Sequence, residues 1–242
     1  MRSAELQPFP CRRRSPASLQ IRIHRPSDRT ASQSREVEMS EWPFGDDIMP
    51  FQWDVVVMDA PTPFETRSAK GQEKSPQAQY DCMTLGEICA MPVGDLLAPG
   101  GVLIFWTTWP LAAKGFHVEA MTRYGVPPVT GGAWVKRTAT GKLRWGPGYV
   151  LRSVCEPYFV GRLPGADMPG SPRTINLVES LHEHGSIDGL AREHSRKPEE
   201  FYQMVEALSP DARRLDVFSR QSRPGWATWG KEADKFDGGQ AA

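Results

Sequence analysis

The chain has 242 residues, enough for one α/β domain with a sizeable core and too few for two full ones. Its 29 basic and 29 acidic residues cancel, so no overall field draws it to nucleic acid or a membrane, and any such contact must come from a local patch. Four cysteines, Cys11, Cys82, Cys89 and Cys155, form no CxxC pair and no zinc spacing, which points to free thiols and no metal site. No apolar run approaches the ~18 residues of a membrane span, and no signal-peptide core follows the amino terminus. The expectation is a soluble protein of the cytoplasm.

Residues 1–38 hold eight Arg and no Lys among many Ser and Pro, with almost no apolar periodicity. Such a segment cannot bury apolar surface and is read as a disordered leader, a targeting peptide or a basic arm, ahead of a single domain over residues 39–242. "WDVVVMD" (Trp53 to Asp59) is a short β-branched apolar run, as in a strand covered on both faces. Thr84 and Glu87 have the spacing of a helix-capping box. "GGVLIFWTTW" (Gly100 to Trp109) predicts a second buried strand and Ala112 to Tyr124 a helix. "AWVKR" and "SVCEPYFVGR" predict strands joined by a connection rich in Gly, basic and aromatic residues. Pro198, Glu199 and Glu200 suit a first helical turn, and Phe201, Met204, Val205 and Leu208 repeat at i, i+3, i+4, i+7. "RRLDVFSR" is the strand that follows.

Alternating strands and helices argue for a doubly wound, mostly parallel α/β sheet. Ligands in such sheets sit beyond the carboxyl ends of strands. Asp59, Ser219 and Arg220 all lie at such ends, so one crevice can serve them. An Asp followed by x-Pro also caps turns, and spacing alone leaves both readings open. The chemical reading is a carboxylate that accepts hydrogen bonds from an exocyclic amine and increases electron density on its nitrogen.

Four segments, in order, bring in a family: "VVMDAP", "GGAWVK", "CEPYFVGR" and "HSRKPEEFYQMVEALSPDARRLDVFSRQSRPGWATWG". From about Gln52 to Glu232 the chain resembles the MT-A-seventy family of adenine methyltransferases. The resemblance implies a Rossmann-like S-adenosylmethionine-dependent fold and methyl transfer to the N6 amine of adenine, in DNA by preference and in RNA as the second possibility. It implies that Asp59 and Pro61 stand in the catalytic signature, with Asp59 holding the target amine. By the same likeness Lys197 meets the cofactor carboxylate, while Phe218 and Arg220 line its pocket and Lys231 and Glu232 fall at cofactor-side positions. Tyr80 and Glu156 fall near the target base.

Two departures bear on activity. The signature reads Asp-Ala-Pro-Thr, where the family has Asp-Pro-Pro-Trp. Ala60 loses a proline's rigidity, at about 1 kcal/mol, and Thr62 removes an aromatic whose stacking on a base is worth about 1–3 kcal/mol. Lys231 stands where the family has Asn, and it lacks an acceptor. The alternative reading is therefore a weakened or inactive member that binds nucleic acid or supports a homologous protein partner. Lys136, Arg137, Lys142, Arg144 and Arg152, interleaved with Trp134, Trp145 and Tyr149, form the candidate nucleic-acid surface. The loop after the signature adds Arg67, Lys70 and Lys74 as a candidate lid.

Overall fold

The computed structural model describes residues 42–63, 82–146, 150–163, 186–190 and 196–237. The leader expected over residues 1–38, the candidate lid with Phe64, Arg67, Lys70 and Lys74, and also Tyr80 and Tyr149, lie outside the described residues.

β1 (Trp53–Met58) is wholly buried from Val55 onward, because its β-branched side chains fill both faces of the sheet. Among the described residues, seven strands follow the spatial order β5-β3-β4-β2-β1-β6-β7, with β2 at Leu97–Trp106, β3 at Pro128–Arg137 and β4 at Cys155–Arg162. β5 is Ser186–Leu190, β6 Arg214–Val217 and β7 Trp226–Trp229. β1 pairs in parallel with β2 and β6, as do β6 with β7 and β3 with β5. β4 alone runs against its neighbours β2 and β3. The sheet is thus mostly parallel, and the chain order reverses beside β1, between the side that carries β2 and the side that carries β6.

Helices cover both faces. α1 (Leu85–Ala90) starts at Thr84, whose Oγ1 accepts from the Glu87 amide at 3.2 Å while Glu87 Oε2 accepts from the Thr84 amide at 2.7 Å. This is the predicted capping box, and Thr84→Ala is expected to cost about 1 kcal/mol in urea unfolding. α2 (Trp109–Ala113) and α3 (Phe116–Arg123) replace the single helix expected over residues 112–124. Gly115 separates them at φ 78°, a left-handed conformation that breaks a helix. α4 is Glu199–Leu208, with Pro198 at the cap position just outside the first turn.

On one face, Phe105 of β2 meets the rings of Phe116 and Tyr124 at 5.8 and 6.5 Å. On the other, Phe201 of α4 is fully buried and meets Trp106, Tyr158 and Tyr202 at 4.9, 5.9 and 5.2 Å, mostly edge to face. Such pairs add about 0.5–1.5 kcal/mol each beyond the area they bury, so the aromatic layer fixes α4 against β2 and β4. Trp226 extends the layer against Tyr202. β2 begins at Leu97 and ends at Trp106, earlier at both ends than the Gly100–Trp109 expectation, since Thr108 takes the cap position of α2. Among the described residues, no helix is long and apolar enough to cross a membrane.

Candidate active site

β1 delivers Asp59 to the carboxyl edge of the sheet, where its amide donates to the Val217 carbonyl of β6 at 3.3 Å. The loop that follows is tied back by its own carbonyls. Ala60 O accepts from the Thr62 amide at 2.8 Å and Pro61 O from the Met83 amide at 2.9 Å. Ala60 is buried while Pro61 and Thr62 are half-buried, so the turn keeps a defined course without the first proline. β4 runs antiparallel to β2 and pairs Tyr158 with Trp106, which carries Glu156 just past the end of β2 to the same edge. β3 brings Trp134 opposite Glu156 and then Lys136. Lys197, immediately before Pro198 and α4, drops onto this edge from above.

These four charged groups form one chain of contacts. Lys197 Nζ lies 2.6 Å from Asp59 Oδ2 and 3.2 Å from Glu156 Oε2, and Glu156 Oε1 is 2.6 Å from Lys136 Nζ. The side chain of Lys197 is only 7% exposed, against 26% for both carboxylates. Each ammonium also rides over an indole, Lys197 at 5.1 Å from the Trp106 ring and Lys136 at 4.9 Å from the Trp134 ring. A buried lysine is retained in charged form only when it is paired, and Lys197 has two anions and a ring face.

The protonation balance is uneven. Burial pushes the Asp59 carboxyl above the usual aspartate range, with Glu156 adding to the rise and Lys197 and Lys136 opposing it. Burial works on Glu156 in the same sense, but the two lysines outweigh it and hold Glu156 at about 2. Burial disfavours the Lys197 ammonium, yet Asp59 and Glu156 overcome it and keep the group charged well beyond the ordinary lysine range. The Glu156 contribution to stability is therefore complete above its ordinary value of 4.5 and lost as pH falls toward 2. Asp59 acts oppositely: its folded value is raised, so ionisation weakens the fold as pH rises from 3.8 through that value.

A crevice opens beside Asp59 on the β6 side, lined by Lys197, Tyr202, Asp216, Phe218, Arg220 and Arg223 among others. Asp216, at the middle of β6, is buried and accepts from Tyr202 Oη at 2.9 Å with Arg223 Nη1 at 3.6 Å. Burial lifts its carboxyl to about 6 against the pull of Arg223 and Tyr202. The Arg223 guanidinium lies 3.4 Å from the Tyr202 ring centroid. This Asp216, Tyr202 and Arg223 cluster was not singled out from the sequence, where the three residues are only a Tyr on a helix face, a strand Asp and a loop Arg. Phe218 adopts φ 65° and turns its ring edge to Trp229 at 5.2 Å. Arg220 Nη2 pairs with Glu232 Oε2 at 2.8 Å, and the guanidinium stands 5.2 Å from the Phe236 ring. Gly230, at φ 147°, sets the turn into this region, and a Cβ there would lie 3.0 Å from Phe218 Cα.

The structure thus gathers Asp59, Glu156, Lys197, Phe218, Arg220 and Glu232 along one sheet edge. Lys231 is exposed and is not among the residues lining the crevice. Lys136 stands apart from the other basic residues of its segment, because it is turned inward onto Glu156. Lys142, Arg144 and Arg152 are exposed around Trp145, which is 61% exposed with Arg152 over its ring at 5.2 Å. Arg137 is half-buried and donates to the Gly141 carbonyl at 3.1 Å. Among the described residues, no group of His, Cys, Asp and Glu is placed to hold a metal ion.

An acid at the end of β1, a lysine before α4 and an arginine after β6 lie in the order that the sequence segments require. A family model described as MT-A70 matches residues 53–232, which include every one of these groups. The chain belongs to the MT-A70 family. Among similar proteins, the "N6-methyladenosine RNA methyltransferase MTA1" of Cryphonectria parasitica is 28% identical over 192 residues, covering 76% of this chain and 52% of the relative. The "N(6)-adenine-specific methyltransferase METTL4" of Homo sapiens is 26% identical over 187 residues, covering 76% and 38%. The "N(6)-adenosine-methyltransferase catalytic subunit METTL3" of Homo sapiens is 30% identical over 159 residues, covering 64% and 25%. The chain spans about a quarter to about half the length of these MT-A70 relatives. The α/β sheet with its reversal of strand order beside β1 is the Rossmann-like arrangement that the resemblance implied.

Proposed function

We propose that this MT-A70 member transfers a methyl group from S-adenosylmethionine to the N6 amine of adenine in nucleic acid. The observation that carries the reading is the Asp59, Lys197 and Glu156 contact set at the strand edge, adjoining a crevice whose lining holds Arg196, Lys197, Arg220 and Arg223 against Asp59 and Asp216. A cation-rich crevice suits the carboxylate of an amino-acid-bearing cofactor, and one carboxylate at its inner end suits an amine. Lys197 is the residue to meet that carboxylate, Phe218 to flank the ring system and Arg220 the ribose side. When bound, the cofactor supplies an electrophilic methyl group.

Asp59 accepts a hydrogen bond from the exocyclic amine, draws the proton toward its own oxygen and leaves the N–H electron density on nitrogen, which makes it the better nucleophile. Its raised proton affinity lets the same oxygen receive the proton that the nitrogen sheds. Lys197 keeps the carboxylate ionised before that moment. The aromatic rings under the two ammonium groups of the cluster are Trp106 and Trp134, both buried.

DNA is the substrate expected from the sequence, and RNA is the second reading, favoured by the relative named for RNA. Labelled-cofactor assays on adenine-containing DNA and RNA oligonucleotides separate the two, and no transfer to either overturns the proposal in favour of a binding or partner role. The exposed Trp145 and Arg152 pair supports contact outside the crevice. Base-aromatic stacking of about 1–3 kcal/mol predicts that Trp145→Ala weakens oligonucleotide binding about 10-fold, measured by fluorescence anisotropy, with the melting temperature unchanged.

A further inference from the structure

We infer that Lys136 is a positioning residue of the active site, one that sets the charge state of Asp59 through Glu156 rather than meeting phosphate. The inference rests on the methyltransferase reading for its consequence, and on contacts within the chain for its substance.

Lys136 reaches diagonally across the β3 and β4 pair. Its own amide donates to the Val154 carbonyl at 2.9 Å, yet its ammonium is drawn toward Glu156, two residues further along β4. Trp134, on the same face of β3, supplies the shelf that holds it there. The side chain is 26% exposed, so its charge is only partly screened by water. One oxygen of Glu156 is thereby committed to Lys136 and the other to Lys197. Lys197 in turn has a hydrogen position left for Asp59, its shorter contact.

Two anions and two cations alternate along this line, and removal of the terminal cation unbalances it. Glu156 then carries an uncompensated charge next to Asp59 and competes for Lys197. Both effects favour a proton on Asp59, the form that lacks the negative charge and cannot take up the amine's proton. The other groups facing Asp59 do not replace Lys136. Asp216 on β6 is a carboxyl group and so cannot supply the missing positive charge, and Tyr202 on α4 is engaged with it. Arg223 is committed to Asp216 and Glu199. Arg220 holds Glu232, and Arg196 donates to the Gln221 side chain.

The test is a carboxyl-carbon NMR titration of the full chain labelled at aspartate, with the Asp59 signal assigned by its loss in Asp59→Asn. In Lys136→Met the Asp59 midpoint is expected to rise by about one pH unit, as removal of a unit charge a few ångströms beyond a contact pair implies. Lys136→Arg restores the parent midpoint, and Lys136→Met combined with Glu156→Gln brings it back down. If oligonucleotides are methylated, the acid limb of kcat/KM moves upward with the midpoint and the rate above that limb stays the same. An unmoved midpoint overturns the role of Lys136, and so does an equal loss of rate at every pH. A shifted midpoint without turnover on any nucleic acid upholds the role of Lys136 and overturns the methyltransferase reading instead.

Discussion

Replacing Asp59 by Asn is expected to lower methyl transfer about 10²–10³-fold while the fold survives. Asn keeps an acceptor oxygen of the same reach, so the amine can still dock. What it loses is the negative charge that grows in value as nitrogen becomes positive, and the capacity to take the proton. The side chain of Lys197 retains Glu156 at 3.2 Å, so the variant does not strand a buried cation. Transfer of labelled methyl to an oligonucleotide, read beside a thermal melt, checks this. A variant within about tenfold of the parent rate would show that the carboxylate merely ends a strand.

The second large effect belongs to Lys197. In Lys197→Met, Asp59 and Glu156 lose the ammonium that stands between them, whose side chain is 7% exposed, with only Lys136 left to balance them. Loss of one partner of a buried pair costs about 3–5 kcal/mol, and at pH 8 the full loss is expected in urea unfolding. As pH falls toward 5 the loss is expected to shrink, because burial raises the proton affinity of Asp59 and removal of Lys197 raises it further, so the group can discard its charge. Equal destabilisation at both pH values would indicate that Lys197 acts by packing on Trp106. Cofactor binding, followed by calorimetry, is expected to disappear at either pH.

Much of this site was legible from local pattern. The β-branched run before Asp59 required a buried strand that ends in a carboxylate, and the helix phase after Pro198 put Lys197 at the head of α4. Both are short-range facts. The partners were not legible, because a salt link between residues far apart in sequence leaves no trace in spacing. Lys136 therefore looked like one of several basic residues on a charged hairpin, until strand pairing placed it diagonally from Glu156. Asp216, Tyr202 and Arg223 escaped for the same reason. β7 was missed because its four residues, Trp226–Trp229, follow a Pro-Gly turn and are too few to show a period.

Gly230 bears on how this chain tolerates change. The course of the backbone there is set by a residue without a side chain, pressed against Phe218, and not by the neighbour at position 231. An exposed lysine at position 231 therefore leaves the wall formed by Phe218 and Arg220 in place. Exchange of Gly230 itself is the costly change, since a Cβ there would press on the Phe218 backbone that shapes this wall.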